Sequence, residues 1–271
     1  MSAKKAGTVT PTRGSAAEQG ELWGYRASRW AEQESRQAPI YAAIADHLEL
    51  GPALRVLDVG CGSGVFLRIA GDRGATVSGL DAAESLIAIA RERVPDADLR
   101  VGDLESLPYD DDSFDVVTGF NSFQFARDVT AAVGEARRVA KRGGHVVMQV
   151  WGRAERCELG ALLGAIAPLL PGPLPGPPSG GAYSDPGVLE SIARNAGLEP
   201  ETTGDVTCAF EYPDESALVQ IAGSAGVIVL AARTSGEQTV RDAIVGAMEP
   251  FKNADGSYRV ENEWHYLIAR A

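Results

Sequence analysis

The sequence predicts a doubly wound α/β fold, on three observations. Short apolar segments alternate with amphipathic ones, a glycine-rich turn joins the first such pair, and acidic residues stand where apolar segments end. Apolar strands separated by helices belong to a parallel sheet covered on both faces. With 271 residues, 45% of them hydrophobic, the chain can bury one full α/β core with insertions.

The elements follow in order. Residues 1–20 are rich in Ala, Gly, Ser and Thr, carry Lys4, Lys5 and Arg13, and lack the apolar core of a secretory signal, so a flexible tail is expected there. The rest, 21–271, reads as one domain, beginning with a helical cap over 21–50. Its apolar face holds Trp30, Ile40, Tyr41, Ile44 and Leu48, and it ends before Gly51-Pro52. Strands are expected at 54–59, 75–80, 99–101, 114–120 and 145–150. Helices are expected from Val65, over 83–93 and over 129–140, the last stopped by Gly143-Gly144.

After Trp151 the rhythm changes. A helix is expected over 158–170, then an irregular stretch over 171–181, where proline and glycine crowd. Asp185-Pro186 is expected to open a helix to about Ala196, with the proline in its first turn. A strand over 203–212, two or three helices over 216–251 and a final strand over 257–269 complete the chain. The insertions 152–184 and 214–252 exceed what a basic sheet needs, and long insertions in compact domains are often lids.

Charge narrows the partners. The net charge is -12 and no Lys/Arg cluster is evident, which argues against a nucleic-acid substrate, since such binders need a basic face. No apolar run is long enough to span a bilayer, so no membrane partner is expected and a cytoplasmic setting follows. Cys61, Cys157 and Cys208 are far apart and odd in number, with neither a metal-binding spacing nor a disulfide framework.

The chemistry centres on VLDVGCGSG, residues 56–64, between the first strand and first helix. Its glycines let the backbone turn tightly and approach a ligand. Asp81 ends the second strand, 21 positions after Gly60, where a carboxylate can accept from both hydroxyls of an adenosine ribose. Asp103 follows the third strand, within reach of an adenine amino group, and Asp58 ends the first, where it can face an ammonium directly or through water. The plain structural alternatives are that Asp81 caps a helix and that Asp103 shapes a turn. Gly60, Gly62 and Gly64 give G-x-G-x-G, with Val65 where a dinucleotide fingerprint needs its later glycine. A carboxylate at the loop's mouth suits a cationic amino group better than a diphosphate. The spacing favours S-adenosylmethionine (SAM) over NAD.

These stretches, with the acid of GLD (79–81), VGDLESLPYDDDSFDVV (101–117) and EARRVAKRGGHVV (135–147), resemble the class I SAM-dependent methyltransferases, in their ubiquinone/menaquinone-biosynthesis-like, small-molecule branch (methyltransferase type 11). The resemblance runs from about Arg55 to Trp151. It implies a Rossmann-like, seven-stranded, mostly parallel sheet with the last strand antiparallel. It implies that Asp58, Gly60 and Gly62, with Cys61 between them, cradle the methionine part, that Asp81 and Ala82 lie at the ribose and Asp103 and Leu104 at adenine, and that Asn121 lies beside the sulfonium. Trp23 and Tyr25 match a place where many relatives close over the cofactor.

Methyl transfer from a sulfonium is an in-line displacement that needs an aligned nucleophile and excluded water, but no metal. The stretch at the end of the fourth strand, Gly119 to Phe125, should line the cleft, with Gln124 able to orient an acceptor. Glu155 is the candidate base, although a glutamate at a helix start is commonly just solvated. His47, His145 and His265 read as structural. Leu218, Ile221, Val227, Ile228 and Leu230 give an apolar roof suited to a small apolar or aromatic acceptor, or alternatively a dimer face, so that monomer and homodimer both stay open. Other readings are SAM kept as a structural ligand for another reaction such as cyclisation, a non-catalytic SAM-binding subunit, and an NAD oxidoreductase.

Overall fold

A computed structural model describes residues 14–173, 177–178 and 181–271. Seven strands form one sheet in the order β3-β2-β1-β4-β5-β7-β6: β1 Arg55–Val59, β2 Thr76–Asp81, β3 Asp98–Val101, β4 Phe114–Phe120, β5 Ala140–Trp151, β6 Glu199–Tyr212 and β7 Tyr258–Arg270. Strands β1 to β5 pair in parallel, and β7 runs antiparallel to both β5 and β6. The strand order reverses between β1 and β4. In open α/β sheets that reversal opens a crevice at the carboxyl ends of the strands.

Alternating side chains explain why both faces must be covered. Val56, Val116, Val147 and Ile268 enter one apolar cluster, while their chain neighbours Leu57, Val117, Val146 and Leu267 enter another on the opposite face. The helices in chain order are α1 Ala16–Gly24, α2 Ala27–Glu34, α3 Ala38–His47, α4 Val65–Asp72, α5 Glu84–Arg93, α6 Val129–Val139, α7 Gly160–Ile166, α8 Val188–Asn195, α9 Glu215–Ala222, α10 Gly226–Ser235 and α11 Glu237–Met248. Helices α3, α4, α7 and α9 to α11 feed the first cluster, and α6 with α8 the second. Asp128 and Asp214 cap α6 and α9, each accepting from a backbone N–H three residues on.

Three expectations change. The flexible tail expected over 1–20 does not extend past Ser15, because Ala16–Gly24 is helical and its Leu22 is buried; what precedes Gly14 lies outside the described residues. The cap is broken at Arg26, whose backbone leaves the helical region (φ -125, ψ 44), and again by a 3-10 turn at Ser35–Gln37. Pro186 does not open the eighth helix. Gly187 adopts φ 81 just before Val188, so the chain reverses there and the helix starts two residues after the proline. Part of the irregular stretch over 171–181 lies outside the described residues.

Among the described residues no single helix is long and apolar enough to cross a membrane.

Candidate active site

The glycine loop turns directly off β1. The N–H groups of Gly60 and Cys61 both donate to the carbonyl of Leu80, at 2.7 and 3.0 Å, which ties the loop to the end of β2. Gly60 and Gly62 take φ values of 78 and 53. Each is also pressed by a neighbour: a Cβ on Gly60 would stand 2.4 Å from Ser122 Cβ, and one on Gly62 would stand 2.7 Å from Glu34 Oε2. Both positions therefore require glycine for conformation and for space.

Above the loop lies a cleft open to solvent on one side. Its sheet side includes Gly60, Gly62, Asp81, Ala82, Asp103, Leu104 and Asn121, and its cap side includes Ser15, Gln19, Trp23, Trp30, Glu34 and Gln37. Asp81 Oδ2 accepts from Gly62 N and Oδ1 from Ala83 N, both at 2.8 Å, so it caps the turn into α5 while lining the cleft. Asp103 likewise shapes its turn, accepting from Glu105 N at 2.9 Å, and lines the cleft too. For these two acids the structural and ligand-facing alternatives coexist. Asn121 takes φ 52 and is held by its N–H donating to Gln149 O at 2.8 Å.

Three residues expected at the cofactor do not line the cleft. Asp58 is only 2% exposed, does not line the cleft, and accepts from Thr118 Oγ1 at 2.7 Å. Cys61 turns its thiol away from the cleft into an apolar cluster with Leu67, Ile87 and Leu99, because side chains alternate about the tight loop. Tyr25 is 57% exposed, with the guanidinium groups of Arg26 and Arg233 over its ring. Trp23, two residues earlier in the cap, lines the cleft instead.

Electrostatics mark what the cleft can hold. Burial pushes Glu34 up to about 7 and Asp58 up to about 8, and it also raises Asp81. Glu34 Oε2 accepts from Ser63 N at 2.8 Å and from Ser63 Oγ at 2.7 Å, while Arg93 donates to the Ser63 carbonyl at 2.8 Å. Glu34 and Asp81 line the cleft, with Asp58 buried behind them within their Coulombic reach, and such a group of acids favours a cationic ligand. A sulfonium bearing an ammonium fits this set of acceptors. A diphosphate would meet carboxylates instead.

A second cavity shares Trp23, Trp30, Gln37, Asn121 and Phe125 with the first. Its walls come from the end of β5, from parts of 154–163 and 177–184, and from Ala222, Ala225, Val227 and Ile228. Leu218 and Ile221 are instead buried in the core, and Leu230 does not line the cavity, because α9 and α10 turn those faces to the sheet and to neighbouring helices. None of its described lining residues carries a formal charge; its polar groups are mainly amides. Gln124 lines it, donating Nε2 to Asn121 Oδ1, and its Oε1 is buried with no partner among the described residues. Glu155, the expected base, is exposed on a 3-10 turn, Ala154–Arg156, and does not line the cavity; its flanking Ala154 does. His145 and His265 pair with Glu201 and Asp205 on the outer strands, away from both cavities.

Sequence reasoning missed Glu34, Gln33 and Gln37. Gln33 Oε1 accepts from Tyr212 Oη at 3.0 Å and Gln37 Oε1 from Tyr41 Oη at 3.4 Å, and all three missed residues are buried. A signal was present. Trp30, Glu34, Gln37 and Tyr41 recur at helical spacing on the face that the cap buries, and polar residues on a buried face need partners or ligands.

The comparisons with known proteins agree with this geometry. A family profile described as "Methyltransferase domain" matches residues 57–148. The chain is similar to a ubiquinone biosynthesis O-methyltransferase of Bordetella bronchiseptica, 32% identical over 197 residues, covering 66% of this chain and 79% of the relative. It is also similar to a malonyl-(acyl-carrier protein) O-methyltransferase of Erwinia pyrifoliae, 29% identical over 218 residues, covering 79% and 78%. Among solved structures, a geranyl diphosphate C-methyltransferase from Streptomyces coelicolor, crystallised with S-adenosyl-L-homocysteine, shares the fold at a TM-score of 0.55 and 16% identity, covering 97% of this chain and 98% of that one. The (4+2)-cyclase SpnF shares it at 0.55 and 24%, covering 86% and 80%. By cofactor cleft, motif order and relatives, the chain belongs to the class I SAM-dependent methyltransferases, in the branch that includes the ubiquinone biosynthesis O-methyltransferases.

Proposed function

We propose that this methyltransferase acts on an oxygen of a small, uncharged and largely apolar or aromatic acceptor, by in-line displacement. The observation that carries the reading is the junction of the two cavities at Trp23, Trp30, Gln37, Asn121 and Phe125. SAM, when bound, supplies an electrophilic methyl group on its sulfonium. Asp81 and Ala82 would hold the ribose, Asp103 and Leu104 the adenine, and the glycine loop the amino-acid end. Asn121 stands on both sides of the junction and would set the path between cofactor and acceptor. Trp23, Trp30 and Phe125 wall that path with rings in edge contact, Trp23 lying 4.5 Å from Trp30 and 5.2 Å from Phe125 between centroids. Such a wall excludes water and offers ring faces to a sulfonium.

The uncharged lining of the second cavity supports a neutral acceptor, because a buried charge without a partner is costly. Gln33, Gln37 and Gln124 would recognise its polar atoms by hydrogen bonding. The names of the relatives support oxygen as the methylated atom. The test is to incubate the protein with methyl-labelled SAM and a panel of apolar phenols, with matched carboxylic acids and amines. Labelled ethers forming with the phenols, in step with S-adenosylhomocysteine release, are expected. Transfer confined to the acids or amines would overturn the proposed acceptor class.

A further inference from the structure

Glu34 lies in the cap, 29 positions before the loop residue it holds, and no sequence motif marks it. It is 5% exposed, lines the cofactor cleft, and stands so close to Gly62 that a Cβ there would be 2.7 Å from Oε2 and 3.1 Å from Oε1. Its two oxygens are used unequally. Oε2 accepts twice from Ser63, and Oε1 accepts no hydrogen bond among the described residues. Oε1 is thus free to accept from a donor in the cleft that Glu34 lines. Asp58, the acid that the loop motif offers for a ligand's ammonium, is buried off the cleft with Thr118. Both Asp81 oxygens already accept from backbone N–H groups at the ribose side.

We propose that Glu34 is the anchor for the ammonium of the cofactor, receiving it on Oε1 while Oε2 keeps the cap fastened to Ser63. The inference rests on the first cavity being the cofactor cleft, and it adds a binding residue from outside the sheet. One consequence is built into the chain. The segment that carries Glu34 also carries Trp30, Gln33 and Gln37 into the acceptor cavity, so the anchor fixes the acceptor wall relative to the cofactor.

The test compares S-adenosylhomocysteine with its deaminated analogue, which keeps the carboxylate and lacks only the amine, by calorimetry on the full chain. The wild type is expected to prefer the amine-bearing ligand by about tenfold or more, as a charge-assisted pair in a buried site should. Glu34→Gln, which can still accept from Ser63, is expected to bind both ligands alike. If Gln is not tolerated in the fold, Glu34→Asp draws the charge back by one methylene and must also shrink the preference. A variant that keeps the wild-type preference, or that weakens both ligands equally, overturns the assignment. A wild type that binds neither ligand would instead bring down the cofactor reading itself.

Discussion

Trp23 packs its indole against the bare face of Gly226: a Cβ on that glycine would stand 2.9 Å from Trp23 Cε2 and 3.0 Å from Nε1. The contact joins α1 of the cap to α10 of the acceptor wall. Trp23 lines both cavities, so its position is shared by the proposed cofactor and acceptor sites. Gly226→Ala should therefore push the indole into the junction. Overpacking of this kind costs about 1–3 kcal/mol, so thermal unfolding should come earlier. S-adenosylhomocysteine and acceptor should both bind several-fold more weakly. Adding Trp23→Phe to Gly226→Ala should recover part of the lost stability, a coupling that a double-mutant cycle reads directly.

Asp81 is the second test. It ties Gly62 N to Ala83 N across the cleft floor. Asp81→Ala should weaken S-adenosylhomocysteine by about tenfold or more and lower the unfolding temperature, since two backbone donors lose their acceptor. Unchanged affinity by calorimetry would remove Asp81 from the cofactor site.

The pH dependence of the cofactor-free protein follows from burial of acids. Glu34 stands at about 7 and Asp58 at about 8 in the fold, against ordinary values of 4.5 and 3.8. A raised acid holds its proton longer in the folded chain than in the unfolded one. Between about pH 4 and about pH 8 the folded state thus binds more protons, and the contribution of these groups to stability falls as pH rises. Unfolding temperatures should decline across that window. Asp58→Asn, which can still accept from Thr118, should decline less steeply. SAM should flatten the wild-type curve, because a cation favours the ionised acids. Parallel curves for wild type and variant would refute this account.

Gln124 lines the second cavity and carries a buried Oε1 without a partner among the described residues. Removing an unsatisfied polar atom relieves its desolvation cost. Gln124→Leu also removes the Nε2 donor to Asn121 Oδ1, so the two effects offset and stability should change by less than about 1 kcal/mol. The same change should lower kcat/KM for the acceptor about tenfold if that oxygen meets the acceptor. A larger loss of stability with unchanged kcat/KM would contradict both statements.

Glu155 gives a prediction of the opposite kind. It is exposed on its turn, away from the cavity lining. Glu155→Gln should leave kcat/KM within about twofold and keep the shape of the pH–rate profile, because no proton passes through it. A tenfold fall, or the loss of one limb of the profile, would restore it as the base.

Much of the fold was legible because its signals are local. The β1 strand, the glycine loop and Asp81 lie within one βαβ unit, where periodicity and glycine spacing report geometry directly. The reading failed where a side chain's direction depends on helical phase. Tyr25 and Trp23 are two residues apart at the end of α1, about 200° apart around the helix, and Trp23 is the one that meets the cleft. Cys61 was read with the glycines beside it, yet a tight loop turns its middle side chain into the core.

The sequence by itself determined the sheet, the loop and the cofactor they hold, since each follows from short-range pattern and backbone sterics. Only the tertiary structure decided the rest of the site. Glu34 meets Ser63, and Trp23 meets Gly226, because the cap folds back across the sheet and packs on α10, contacts that span 29 and about 200 residues of chain. Such pairings are set by burial and shape across the whole core. For the same reason the acceptor cavity, walled by segments from the cap to α10, was not legible in any one stretch.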